Sequence, residues 1–273
     1  MGIIVDPAFK AFAIPSVPDG QQDILFHIVE QQAFDLSACV SLFSSLPEGL
    51  WRAWSCRGDS YMFSLHDIAA DNKPYRIAIG DRRLLDITTF STQRDRRMIS
   101  PLEYPLDELI ISGHCNLNRI GILLHSALVS LQGRGLLFSG TSGSGKSTLS
   151  ELWLHAAGAE VFTDDRVIVR EKEEALWAYG TPWHGTAGVH QNKGAPIAAI
   201  FFIRHGSGNE VKQLSVMESA NRLMVRCFPT FWHKEGIQFA LDFCARIASS
   251  VACYEFGFVP DASAVEFIRK RFC

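Results

Sequence analysis

The chain has 273 residues, enough for one large domain or two ordinary ones with a buried core. Hydrophobic residues make up 47% and charged residues 20%, the balance of a soluble globular protein. A formal charge of −3 excludes the basic field that would recruit nucleic acid or an anionic membrane. The N-terminal stretch MGIIVDPAFKAFAIP has no basic region ahead of a long apolar run, so it reads poorly as a signal peptide. The longest uncharged run, Ile120–Gln132, is too short to span a bilayer. Cysteines at 39, 56, 115, 227, 244, 253 and 273 show no C-x-x-C pair and no zinc spacing. They read as thiols of a protein in the reducing cytoplasm.

In chain order, Ser41–Gly49 reads as a turn-rich link and Leu50–Leu65 as short strands around a Cys-Arg-Gly-Asp turn. Tyr75–Gly80 and Leu84–Phe90 read as two strands joined at Gly80-Asp81, a hairpin signal. Ser91–Arg97 is polar and charged, a loop or linker, and a boundary falls near residues 95–105. Residues 1–104 then form a smaller, mostly β α+β region of unread role, and 105–273 a second domain.

From that boundary helix and strand alternate. Asn116–Val129 has apolar residues at helical spacing, with Asn116 as N-cap and Gly133 as the stop. Leu136–Ser139 is a short strand, and Ser147–Ala157 a helix closed by Gly158. Val161–Thr163 and Val167–Arg170 flank an Asp-Asp-Arg turn, and Ala175–Tyr179 and Pro196–Arg204 are further strands. Val216–Cys227 and Phe239–Ser249 read as amphipathic helices, Val251–Phe258 as a strand and Ala262–Arg271 as a closing helix. The pattern is α/β with a mixed sheet.

The segment LLFSGTSGSGKSTL carries G-x-x-x-x-G-K-[ST] between an apolar strand and a helix, the signature of a phosphate-binding P-loop. The residues are Gly140, Thr141, Ser142, Gly143, Ser144, Gly145, Lys146 and Ser147, with Thr148 following. Glycines let the backbone approach phosphate closely, successive N–H groups make an anion nest, and the helix start adds its positive end. Lys146 then faces the β- and γ-phosphates, and the Ser147 hydroxyl suits Mg²⁺. Asp164-Asp165, at a strand end, supplies the carboxylates that phosphoryl transfer needs for metal and for the attacking hydroxyl. A turn or helix-capping pair is the bland alternative. Arg166 reads equally as the ion-pair partner of an acidic residue or as a phosphate contact. Trp183-His184-Gly185 reads as a packed turn or a ligand rim, and Arg204 as a strand end within reach of phosphate. The aromatic run Phe228–Trp232 reads as core or interface.

From His125 to Arg170 the chain resembles the nucleotide-binding core of the HPr kinase/phosphorylase family. The resemblance rests on His125 fifteen residues ahead of Gly140, on GRGLLFSG, on the glycine-rich loop and on AGAEVFTDDRVIV. YGTPWHG at 179–185 and IAAIFFIR at 197–204 are also similar to those kinases. The resemblance implies a mixed-sheet kinase core close to that of phosphoenolpyruvate carboxykinase. It implies ATP as nucleotide, Mg²⁺ or Mn²⁺ as metal, and transfer of the γ-phosphoryl group to a hydroxyl of a protein, peptide or small molecule. Asp164 is then the general base, Asp165 joins Ser147 on the metal side, and His125 orients or tunes the base. Relatives that assemble into rings imply a homo-oligomer. Thr148 stands where that family usually has Glu, and no glycine- and arginine-rich segment precedes the C-terminus. HPr itself and phosphorolysis therefore lie outside what the resemblance implies. The competing functional classes are an ATP-binding regulatory or scaffold protein, and an ATPase without acceptor.

Overall fold

A computed structural model describes residues 6–14, 24–30, 37–45, 50–57, 59–67, 73–91 and 103–272. Backbone packing divides them into two units. Asp6 and the described residues of Ile14–Arg119 and Thr230–Ile237 make up the first, and those of Pro7–Ala13, Ile120–Pro229 and Gln238–Cys273 the second. A short helix α1 (Pro7–Lys10) belongs to the second unit.

The first unit is built on a six-stranded mixed sheet in the order β1-β6-β5-β4-β3-β2. Its strands are β1 (Leu25–Glu30), β2 (Cys39–Ser44), β3 (Trp51–Cys56), β4 (Ser60–Asp67), β5 (Lys73–Asp81) and β6 (Asp86–Ser91). All pairings are antiparallel except β1 with β6. Tyr61, Phe63 and Leu65 alternate along β4 into a core shared with Leu106 and Ile110 of helix α2 (Leu106–Leu117) and with Trp232. Two sequence expectations are corrected here. Ser41–Gly49 is not a link throughout, since Cys39–Ser44 is a strand; residues 46–49 lie outside the described ones. Cys39 and Cys56 are not thiols: the β2–β3 register sets them directly opposite at a Cα separation of 4.2 Å, and they form a disulfide. Cys115, Cys227, Cys244 and Cys253 are buried and not disulfide-bonded. The linker expected over Ser91–Arg97 lies outside the described residues beyond Ser91.

The second unit carries an eight-stranded mixed sheet. Its strands are β7 (Gly121–Leu131), β8 (Arg134–Ser139), β9 (Ala159–Thr163), β10 (Arg166–Lys172), β11 (Ala175–Gly180), β12 (Gly194–His205), β13 (Glu210–Gln213) and β14 (Cys253–Phe258). The order is β11-β10-β7-β8-β12-β14-β13, with β9 beside β7 and β11 also paired to β12. Strands β8, β12 and β14 run parallel, and the remaining pairs are antiparallel. Side chains alternate between two cores. Ile200 and Phe202 of β12 join Leu223 of α4 (Val216–Met224) and Phe243 and Ile247 of α5 (Lys234–Ser250). Phe201 and Ile203 join Leu149 and Trp153 of α3 (Lys146–Leu154) and Ile268 of α6 (Ala262–Phe272) on the other face. The unit is thus a three-layer α/β arrangement with its sheet buried on both sides.

That double burial explains the main misreading of the sequence. Asn116–Val129 is not a helix. The helix is α2, which ends at Leu117 with Asn116 buried inside it, and Gly121–Leu131 is an eleven-residue strand. A strand covered on both faces has no polar alternation, so its continuous apolar run also fits a buried helix. Among the described residues no helix is long and apolar enough to cross a membrane.

Trp153 is fully buried between α3 and the sheet, against Phe138. Trp153→Ala is expected to lower unfolding free energy by about 3–5 kcal/mol, read from chemical denaturation of the intact chain. A loss below 1 kcal/mol would mean that α3 is not anchored there.

Candidate functional site

The glycine-rich loop leaves β8 at Ser139, whose hydroxyl donates to the His125 carbonyl at 3.1 Å. It crosses the carboxyl ends of the three parallel strands and enters α3, the position where open α/β sheets take ligands. Gly145 caps the helix at φ 94°, and a Cβ there would stand 2.8 Å from the Phe258 ring. Only glycine fits that combination of left-handed backbone and close packing. His205, at the end of β12, donates through Nε2 to the Gly143 carbonyl at 2.9 Å and ties down the tip of the loop. The first N–H groups of α3 have no intrahelical acceptor and leave the helix with a positive end.

Lys146 is the first residue of α3 and is buried. Its ammonium curls back to donate to the carbonyls of Gly140 at 2.8 Å and Thr141 at 3.2 Å. Burial is the main reason its pKa falls to about 8; the Arg226 and Arg166 charges add to the fall, and Asp165 and Asp164 oppose it.

The acidic pair occupies the turn between β9 and β10, and its two side chains do different work. Asp164 is 1% exposed. Its carboxylate accepts the backbone N–H groups of Gly185 at 2.9 Å, Ala187 at 2.9 Å and Val189 at 3.3 Å, so it organises the loop after β11. The Ser147 hydroxyl lies 3.5 Å from its Oδ2. A Cβ on Gly185 would come within 2.7 Å of Oδ2, and that close approach is why glycine stands there. Asp165 faces the other way. Its Oδ1 lies 3.1 Å from His125 Nδ1, and its Oδ2 accepts from Arg166. Burial opposes its ionisation, but the His125 hydrogen bond and the Arg166, His125 and Lys146 charges outweigh it and hold the carboxyl below its usual range. His125 and Arg166 are direct partners across β7 and β10, and the Arg166 guanidinium lies over Phe228 at 5.2 Å.

These groups line one cavity of about 380 Å³, formed by His125, Ser142, Gly143, Gly145, Lys146, Ser147, Thr148, Asp164, Asp165, Gly185, Thr186 and His205. Gly140 and Thr141 serve it through the carbonyls that hold Lys146, and Ser144 is buried within the loop. Arg204 does not join: its guanidinium is bound to Glu255 and Glu210. Trp183 packs inside, its carbonyl accepting from Thr163 and Thr181. Trp232 belongs to the core of the first unit. Sequence reasoning missed the 185–189 amides and His205. Amides carry no residue signature, and the one available signal was the glycine at 185.

No protein-family model matches the chain, and no curated protein matches it. Among solved structures it is similar to the Hpr(Ser) kinase/phosphatase from Coxiella burnetii, with a TM-score of 0.30 and 10% identity over 55% of this chain and 91% of that chain.

Lys146 makes stability depend on pH in a defined window. Its proton is held to about 8 in the fold, against an ordinary value of 10.5. Below pH 8 both states carry the proton, and burying the charge costs its full amount. Between the two values the unfolded chain binds the proton that the folded chain has released, so this contribution to stability rises with pH. Relative to Lys146→Met, the wild type should gain stability from pH 8 to 10 in denaturant titrations; a pH-independent difference would contradict the buried ammonium.

Proposed function

We propose that the chain binds ATP at residues 140–148 and transfers its γ-phosphoryl group to the hydroxyl of a protein, peptide or small molecule. One observation carries this reading. A helix N-terminus, a buried lysine, a serine hydroxyl and two carboxylates of different environment converge on a single cavity. A nucleotide-binding scaffold requires the first three; the second carboxylate, with its histidine, is what transfer adds. The same convergence, on a mixed sheet with the loop between β8 and α3, supports a kinase core of the phosphoenolpyruvate carboxykinase type.

The residues divide the work as follows. Backbone N–H groups of the loop and the start of α3 hold the β-phosphate, and Lys146 swings from the loop carbonyls to the γ-phosphate. Ser147 and Asp164 are paired hard oxygen donors, suited to Mg²⁺ or Mn²⁺. Among the described residues no group of three or more His, Cys, Asp or Glu could hold a metal, and Mg²⁺ on one carboxylate plus substrate phosphates needs none. When bound, the ion neutralises charge on the β- and γ-oxygens. Asp165, oriented by His125, takes the hydroxyl proton as the acceptor oxygen bonds to the γ-phosphorus. The bond from that phosphorus to the β–γ bridging oxygen breaks, and ADP leaves. Assigning the base to Asp165 and the metal side to Asp164 reverses the division that the family resemblance implies. The reason is that three backbone N–H groups already occupy the Asp164 oxygens.

With labelled ATP and a panel of hydroxyl acceptors, Asp165→Asn should lower turnover about 10²- to 10⁴-fold while nucleotide affinity is kept. Lys146→Ala should weaken ATP binding at least about 10-fold, the loss of a charged hydrogen bond. EDTA should abolish transfer. Steady phosphate release with no acceptor labelled would make the chain an ATPase instead, and full transfer by Asp165→Asn would remove the base.

A further inference from the structure

The loop that Asp164 organises carries a feature the phosphate chemistry does not use. His184 and His190 stack on each other, ring centroids 5.1 Å apart and planes 30° from parallel. Each ring is fixed by its own backbone hydrogen bond: His184 Nδ1 lies 3.1 Å from the Gly185 carbonyl and His190 Nδ1 3.1 Å from the Gly188 carbonyl. A carbonyl oxygen only accepts, so both rings carry their proton on Nδ1 and are held in one orientation. His190 is set further by its bridge to Thr163 at the end of β9. His184 is exposed, whereas His190, the ring behind it, is half-buried. An aromatic pair on a surface loop gains little for the fold, yet this one is locked before any ligand arrives. The two residues that follow His184, Gly185 and Thr186, line the cavity together with Thr148, on the first turn of α3.

We propose that His184, backed by His190, is the nucleobase platform of the triphosphate site, taking a purine base on its open face. The inference rests on the triphosphate reading above and adds where the nucleoside goes. Aromatic rings held edgewise by the backbone lose little freedom when a base stacks on them, and every base has a π face. The platform therefore contributes affinity for the nucleoside without touching the phosphates.

Calorimetry of the full chain with Mg²⁺ compares ATP with inorganic tripolyphosphate, which shares the phosphate tail and lacks the base. The wild type should bind ATP more tightly. His184→Ala should weaken ATP about 5- to 100-fold and leave tripolyphosphate unchanged, and His184→Phe should keep ATP affinity through its own ring. Equal weakening of both ligands in His184→Ala would show that the ring only supports the loop, and unchanged ATP affinity would show no stacking; either overturns the platform. If the wild type binds tripolyphosphate and ATP equally, the platform fails while the phosphate site stands. If it binds neither, the triphosphate reading fails first.

Discussion

The second unit turns on one buried carboxylate. Asp164 leaves the end of β9 and accepts backbone N–H groups from Gly185, Ala187 and Val189 while it faces the Ser147 hydroxyl. A buried carboxylate without donors is very costly, and one with three is well satisfied. The same contacts tie three separate stretches of chain together: the acidic turn, the loop after β11 and the first turn of α3. The cavity exists because those stretches are held at one point.

The mixed sheet makes that possible. Its parallel half, β8, β12 and β14, brings carboxyl ends together so that the glycine-rich loop and the positive end of α3 face one opening. Its antiparallel half brings the carboxylates. Strand β7 is long enough to pair with β10 along Gly121–His125 and with β9 along Leu128–Leu131. The β9–β10 turn therefore lies against the place where β7 changes partners, and Ser126 N–H donates to the Asp165 carbonyl there at 2.9 Å. His125 reaches Asp165 only because it stands on a strand opposite Arg166.

What the sequence makes legible follows from this. The loop is readable because the phosphate-binding pattern sets glycines, a lysine and a hydroxyl residue at fixed spacing between strand and helix. The acidic pair is readable as a pair, but not the different surroundings of its two carboxylates, since those of Asp164 are backbone donors more than twenty positions away. His125 is readable as a candidate only through family resemblance, and the helical spacing around it points to the wrong element. The Ile120–Leu131 run is apolar on both sides because both faces of β7 are covered: Leu124 and Leu128 enter one core, Ala127 and Val129 the other. The register that joins Cys39 to Cys56 is likewise a tertiary fact, invisible in their spacing.

The charge pattern gives the last step. Lys146 feels the Arg226 and Arg166 charges across the site, and the Asp165 and Asp164 charges oppose them. Asp165 is already committed to Arg166 and His125, and Asp164 to backbone amides. Among the described residues Lys146 has only carbonyl oxygens as direct partners, and burial weakens its hold on its proton. A cation in that state gains more from an arriving polyanion than one already paired, because the anion replaces neutral dipoles and not a competing carboxylate. On the proposed reading the site is poised for a negatively charged tail, and the separate environments of its two carboxylates are what would turn binding such a tail into moving part of it.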